Sequence, residues 1–160
     1  MPYKLCFGVE LPRLLDIARE FPANHQLAQQ LWKDNIRETK ILATILMPVD
    51  AFYPEVADIW VGEMPSAEIA QIAVQQLFMR LPYAPERAFR WIASDAELTQ
   101  LCGFLIIARL LSRGEQLNDR SMEELKDQME AVRPNASLPL RKAIMAIENE
   151  ISFRESEDIK

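Results

Sequence analysis

Apolar residues recur along most of this chain at intervals of three and four, the period of a helix that faces a core on one side. The pattern is clearest over residues 27–46, where it indicates two consecutive helices with Asp34 as the cap of the second. Their stripes consist of Leu27, Leu31 and Trp32 in the first helix and Ile41, Leu42, Ile45 and Leu46 in the second. A hairpin of this kind cannot bury its stripes alone, so the pattern predicts further hairpins stacked on it.

Prolines and capping residues, not alternating strand patterns, divide the rest of the chain. Pro12 and Pro22 are expected to open helices, because the first turn tolerates proline's missing N–H. A serine followed three residues later by a glutamate predicts helix starts at Ser94 and Ser121. The other predicted helices begin near Pro54, Ser66, Ala84 and Leu138, and the tail 154–160 is expected to fray.

About nine helices with short connections predict an all-α fold within a single domain, residues 1–160. Stripes that begin near Ile36, Ile69, Leu101 and Leu140 recur after 33, 32 and 39 residues. This spacing is compatible with an α-α superhelix of HEAT or armadillo-like repeats, and an up-down helical bundle is the structural alternative.

Composition sets limits on the function. The chain has 160 residues, of which 49% are hydrophobic and 26% charged, as in a packed globular protein. Cys6 and Cys102 are too few for a disulfide framework, and His25 is the only histidine, so no metal centre or other cofactor is expected. The start lacks the apolar core of a signal peptide and no apolar run could span a membrane, which predicts a cytoplasmic protein without a membrane partner.

Two segments near the start resemble a known family. Residues 7–19 read Phe-Gly-Val-Glu-Leu-Pro-Arg-Leu-Leu-Asp-Ile-Ala-Arg, and residues 27–43 contain Leu-Ala-x-x-Leu-Trp, then Glu38, then Leu-Ala. Both resemble the DNA alkylation repair family, HEAT-like repeat proteins that include the AlkD-like glycosylases, which excise alkylated purines. The resemblance implies a HEAT-like fold and a site for alkylated duplex DNA.

The positions that the resemblance assigns to that site carry other residues. A Trp-Asp-x-Val-Asp type segment is implied after residues 50–61, but residues 62–69 contain neither tryptophan nor aspartate, and Glu68 is the only substitute carboxylate. A tryptophan and an arginine are implied near residues 96–101, where Leu98 and Leu101 stand. The resemblance therefore indicates a non-catalytic member of the family. Glu68 stays a weak catalytic candidate whose expected role is in the first turn of a helix capped by Ser66.

The net charge of −6 is unfavourable for DNA, since phosphate binding depends on lysine and arginine. Residues 48–79 hold five acids and no base, whereas residues 80–113 and 132–154 each carry a charge of +2. The candidate phosphate contacts are Arg37, Lys40, Arg87, Arg90, Arg109, Arg113, Arg141 and Lys142. They would need to lie on one side of the fold, and solvated helix faces are the alternative interpretation.

The sequence is compatible with three alternative functions. The first is weak, sequence-independent binding to the backbone of duplex DNA, without catalysis. The second is a protein-interaction scaffold that no longer binds DNA, which the acidic balance favours. The third is an active alkylpurine glycosylase with relocated site residues. In each case Trp32 is expected at a packing centre, Trp60 and Trp91 in the core, and Glu38 in a structural role.

Overall fold

A computed structural model describes residues 2–159, and within that range the chain is all α-helical, as predicted. Nine α-helices and three short 3-10 turns follow one another, and the extended backbone amounts to one isolated bridge, Leu5 to Ile36. The helices are α1 (Leu11–Ala18), α2 (His25–Lys33), α3 (Arg37–Leu46), α4 (Pro54–Gly62), α5 (Ala67–Gln76), α6 (Ala84–Ile92), α7 (Glu97–Ser112), α8 (Asp119–Val132) and α9 (Leu138–Ile159). No helix within the described range is both long and apolar enough to cross a membrane.

The helices form two compact units, Met1–Pro82 and Tyr83–Lys160. In the first unit α3 packs against α1, α2 and α5. Its core contains an aromatic cluster in which the rings of Trp32 and Trp60 stack at 4.4 Å between centroids, and Phe52 meets Trp60 edge-on. Both tryptophans are fully buried, as the sequence pattern predicts. The stack connects α2 to α4.

The segment before α1 is extended and is held against the start of α3. The backbone N–H groups of Lys4 and Leu5 donate to the Asn35 carbonyl, and the Arg37 N–H donates to the Leu5 carbonyl. This pairing explains why α3 begins at Arg37, with Ile36 in extended conformation before it, and why Asp34 is not its cap. The predicted cap at Asp34 was therefore wrong, because a tertiary contact sets the helix start.

In the second unit α7 packs against α6 on one side and α9 on another. The Ser137 N–H, just before α9, donates to the Glu97 carboxylate at the start of α7, at 2.8 Å. At the other end Arg154 of α9 donates to the Leu111 carbonyl of α7, at 2.5 Å. The two helices therefore run parallel. Trp91 is buried in this unit, as predicted.

Gly103 lies at a close approach between α6 and α7. A Cβ atom built there would lie 2.7 Å from the Ala88 carbonyl oxygen and 2.7 Å from the Ile92 Cγ2 atom. Because one of these neighbours is backbone, a larger residue would force the helices apart. The apolar pattern of α7 predicts a central helix, and the contacts on both sides confirm it.

Several predicted helix starts differ from the observed ones. α2 begins at His25, not at Pro22, because the Asn24 side chain accepts from the Leu27 N–H. α7 has Ala96 at its cap, and the Ser94 hydroxyl accepts from the Ala96 N–H instead. α8 is likewise capped by Asn118, three residues before the expected cap at Ser121, since the Asn118 side chain accepts from the Ser121 N–H. The predicted cap at Ser66 is confirmed, as its hydroxyl accepts from the Ile69 N–H.

The tail also differs from the expectation of fraying. α9 continues through Ile159, and Lys160 lies outside the described residues. The hydrogen bond from Arg154 to the end of α7 holds this half of the helix. Of the two cysteines, Cys102 is buried in α7, where burial raises the pKa of its thiol, and Cys6 is exposed on the N-terminal segment.

Candidate nucleic-acid interface

Arg37, the first residue of α3, is the hub of an ion-pair network in the first unit. Its Nε and Nη2 atoms donate to the two carboxylate oxygens of Glu68 in the first turn of α5, at 2.7 and 2.9 Å. Its Nη1 atom donates to Glu38 at 2.6 Å and to the Val9 carbonyl at 2.8 Å. These carboxylates hold the pKa of Arg37 above its ordinary value. Four of the five guanidinium N–H groups are thus used by partners inside the fold.

Glu38 binds the N-terminal segment. Its carboxylate is buried and accepts from the backbone N–H of Phe7 at 2.8 Å and of Val9 at 3.3 Å, in addition to Arg37. Burial raises the pKa of Glu38, but the hydrogen bonds from Phe7, Arg37 and Val9 outweigh it, so the pKa lies below its usual value. This geometry supports the expectation that the glutamate of the resembling signature is structural.

Lys40 is buried within the same unit. Its Nζ atom donates to the Trp32 carbonyl at 2.7 Å and lies 4.5 Å from the centroid of the Trp32 ring. It satisfies a carbonyl in the last turn of α2, where no intrahelical donor remains. Burial lowers the pKa of Lys40, while the charges of Glu63 and Asp34 oppose the shift. That Arg37 and Lys40 contact phosphates stays a prediction. To do so, each side chain would have to leave its partner inside the fold.

Glu68 lies where the sequence places it, in the first turn of a helix capped by Ser66. About half of its side chain is exposed, and both oxygens face Arg37. The Ser66 hydroxyl also bonds to the Tyr3 hydroxyl, at 2.5 Å. Further along the chain, Leu101 is buried inside α7. These positions therefore serve packing and an ion pair.

Arg87 and Arg90 lie on α6 and share the carboxylate of Glu86. Arg87 is buried, with its Nε atom 3.6 Å from Glu86, and Arg90 is exposed, with its Nε atom 3.2 Å from the same carboxylate. Since exposed pairs of this type are weak, Arg90 can exchange Glu86 for another anion. Arg87 cannot do so without leaving the interior.

Five of the eight candidate cations are exposed, and four of these five make no ion pair within residues 2–159. These four are Arg109 and Arg113 at the end of α7 and Arg141 and Lys142 in the first turns of α9. All four belong to the second unit. Because α7 and α9 run parallel with their starts joined, the rise of 1.5 Å per residue places the two pairs about 12 to 18 Å apart along the helix axes.

The exposed surface of α4 has the opposite charge. Glu55 and Asp58 lie exposed beside the apolar Ile59, of which 59% is exposed, and no basic residue occurs between positions 48 and 79. Phosphates would be repelled there.

In the part of the chain that is described, no three His, Cys, Asp or Glu side chains are grouped so as to hold a metal ion.

Sequence reasoning missed the residues that fasten the N-terminal segment. Tyr3, Phe7 and Val9 bind Ser66 and Glu38 across 63, 31 and 29 positions of sequence, respectively. Two of these contacts use backbone N–H groups, which carry no sequence signal. The only available signal was Glu38 itself, an acidic residue on the otherwise apolar side of α3.

The fold and part of the sequence match known proteins. The family model described as "DNA alkylation repair enzyme" matches residues 3–152. A solved structure described as "a new family of proteins related to the HEAT-like repeat DNA glycosylases with affinity for branched DNA structures" is similar, with a TM-score of 0.73 and 21% sequence identity. The match covers 91% of this chain and 63% of that one, so this chain spans less than two thirds of the relative's length. No curated protein matches this chain in sequence. The structural likeness confirms the predicted HEAT-like repeat fold.

Proposed function

This chain belongs to the DNA alkylation repair enzyme family, and from that premise we propose that it binds the backbone of duplex DNA without excising bases. The proposal has two parts. The first, loss of catalysis, rests on the residues at the positions of the family's site. The second, DNA binding, rests on the exposed cations of α7 and α9.

The pairing of Glu68 with Arg37 carries the first part. A carboxylate that stabilises a positive sugar must face the reacting nucleotide, but both oxygens of Glu68 already accept from one guanidinium. Releasing Glu68 would also remove a partner of Arg37, the residue that neutralises Glu38. No tryptophan is available to stack on an extruded base, since Trp32, Trp60 and Trp91 are all buried.

The four unpaired cations of the second unit support the second part. Arg109, Arg113, Arg141 and Lys142 can each neutralise a phosphate without breaking an ion pair. Their axial separation of about 12 to 18 Å is comparable to the width of the major groove, about 12 Å, so the two pairs can reach phosphates on either side of it. Contacts of this kind position a protein on DNA but do not read sequence.

One experiment tests both parts. Duplex DNA with and without alkylated purines is titrated at several salt concentrations while released base is measured. We expect no base release above the spontaneous rate and a log–log salt slope of about −3 to −4, from four contacts at about −0.9 each. Lesion-selective binding or enzymatic base release would overturn the first part, and it would make an active glycosylase with relocated residues the better assignment. Absence of any salt-dependent binding would overturn the second.

The same titration is repeated with a branched duplex, because the similar solved protein is described as having affinity for branched DNA. A branch offers phosphates at several angles, so the cations at the end of α7 and those in the first turns of α9 can be engaged together. We expect the branched duplex to bind more tightly than a linear one of equal length. Equal affinities would show that the branch adds no contact and that the chain does not prefer branched DNA.

A protein-interaction scaffold is the second candidate function, and the surface of α4 favours it. Ile59 is exposed there between carboxylates, where DNA would be repelled.

We further propose a cytoplasmic location, since both cysteines are free, as expected in a reducing compartment.

A further inference from the structure

The distal half of α9 borders an open groove that the proposed DNA contacts do not use. α9 has 22 residues, but its buried side chains, from Leu140 to Ile147, all lie in the first half. Beyond them Phe153 is 63% exposed, and a groove of about 380 Å³ separates this part of α9 from the end of α7. Phe153 therefore leaves an exposed apolar ring beside the groove.

The groove combines one apolar wall with acidic side chains. Phe153 supplies the exposed apolar surface, since Leu111 beneath it is buried, and the carboxylates of Glu150, Glu157 and Asp158 line the sides. Arg154 also lines it, but its guanidinium donates to the Leu111 carbonyl and so belongs to the floor. The lining side chains therefore carry a net negative charge.

We propose that this groove docks a basic segment of a partner protein, in which one apolar side chain is flanked by lysine or arginine. The apolar side chain would contact Phe153, and the flanking cations would meet Glu150 and Asp158. Charge complementarity selects this occupant, since the phosphates of a nucleic acid would face the same carboxylates and be repelled. Arg113 and Glu115, which lie next to lining residues in the sequence, carry opposite charges and so leave the net negative charge around the groove unchanged.

The volume limits the size of the anchor. A groove of about 380 Å³ lies at the lower end of the range of ligand pockets, about 300 to 1,000 Å³, which is sufficient for one or two side chains. Phe153, Glu157 and Asp158 also lie beyond residue 152, where the family match ends. These three residues of the groove therefore lie outside the segment that matches the family.

Fluorescence anisotropy with labelled synthetic peptides tests the proposal. The probe is an eight-residue peptide of lysines with two central leucines, and the comparison peptide contains lysine alone. We expect the leucine-containing peptide to bind the unaltered chain at least tenfold more tightly. Equal binding of the two peptides would mean that the net charge of the chain attracts any cation, and it would overturn the proposal.

Substitutions then locate the site. Phe153→Ser and the double variant Glu150→Gln with Asp158→Asn are each expected to weaken binding of the leucine-containing peptide about tenfold. The matched controls are Ile59→Ser on α4 and the double variant Glu123→Gln with Glu124→Gln on α8, which should change it less than twofold. Circular dichroism shows whether each variant is folded, and since Phe153 is exposed its replacement should leave the fold intact.

Losses of equal size in the groove variants and in the controls would contradict the assignment. The groove variants remove no proposed phosphate contact and so should not weaken DNA binding, which makes failure of this proposal distinguishable from failure of DNA binding. Concentration-dependent self-association that Phe153→Ser abolishes would identify a second copy of the chain as the occupant and would also overturn the proposal.

Discussion

Arg37 and Glu68 are joined by two parallel hydrogen bonds, of 2.7 and 2.9 Å, which connect the start of α3 to the start of α5. The two partners differ in burial, because 14% of the Arg37 side chain is exposed against 47% of the Glu68 side chain. The loss in free energy of unfolding on replacing each residue should differ accordingly.

Arg37→Ala should lower the free energy of unfolding by about 3 kcal/mol, because it leaves the buried carboxylate of Glu38 without its cation. Glu68→Gln should cost less than about 1 kcal/mol, since its carboxylate is half exposed. Urea denaturation of the two variants measures both values. Equal losses would contradict the view that Arg37 acts mainly through Glu38.

Glu38→Gln should lower the free energy of unfolding at pH 7 by about 1.5 to 3 kcal/mol, as expected for hydrogen bonds to a charged group. The folded-state pKa of Glu38 is lowered, so its contribution is present above the unfolded pKa of about 4.3 and is lost as pH falls through the folded value. Denaturation at pH 7, 5 and 3 should therefore show the variant approaching the unaltered chain as pH falls. A constant difference would argue against an ionised Glu38. Glu123→Gln on exposed α8 is the control.

Lys40 should show the opposite dependence on pH. Burial lowers its folded-state pKa, so the unfolded chain binds more protons at alkaline pH, and stability rises as pH increases from the folded pKa towards the unfolded value of about 10.4. The unaltered chain should thus gain stability relative to Lys40→Met between pH 7 and 10, because the neutral amine still donates to the Trp32 carbonyl. Denaturation at both pH values measures this difference. An unchanged difference would mean that Lys40 stays charged throughout.

Trp32→Ala should lower the free energy of unfolding by about 3 to 5 kcal/mol, because it leaves a cavity beside Trp60 and removes the ring under Lys40. Gln30→Ala, at an exposed position of the same helix, should change it by less than about 0.5 kcal/mol. Denaturant unfolding compares the two. A loss below about 1 kcal/mol for Trp32→Ala would show that the stack is not a packing centre.

Arg141→Ala combined with Lys142→Ala should flatten the log–log salt slope of DNA binding by about two units, since each replacement removes one phosphate contact worth about −0.9. The control is Arg120→Ala with Lys126→Ala, which removes the same charge from the exposed surface of α8. Titrations of duplex DNA at several salt concentrations measure the slopes. If both pairs flatten the slope equally, binding follows the net charge and not the start of α9.

The periodicity of apolar residues predicted the all-α fold and the positions of α4 and α6, because burial of one helical face dominates local structure. It did not predict helix starts that depend on distant partners. Asp34 has the chemistry of a cap, but the backbone of residues 35–37 pairs with the N-terminal segment instead. Likewise Glu97 could have completed a capping box with Ser94, but its carboxylate accepts from the Ser137 N–H.

The candidate site was less predictable, since the availability of a charge depends on its neighbours in space. Arg37 and Glu68 are 31 positions apart, and no local sequence pattern predicts that they form a pair. The sequence also does not predict that Lys40 is buried against Trp32, because lysine is usually exposed to solvent. For Arg141 and Lys142, the interpretation as exposed cations needed only the polar side of a helix.

The distribution of the three tryptophans gives each unit its own optical signal. Trp32 and Trp60 are in ring contact in the first unit, so their coupled transitions report on that stack, whereas Trp91 absorbs and emits from the second unit. The near-ultraviolet circular dichroism of the stack therefore follows the melting of residues 1–82, and the difference in fluorescence between the unaltered chain and a Trp91→Phe variant follows residues 83–160. Comparing the two curves reveals whether the halves of this repeat protein melt together or one after the other.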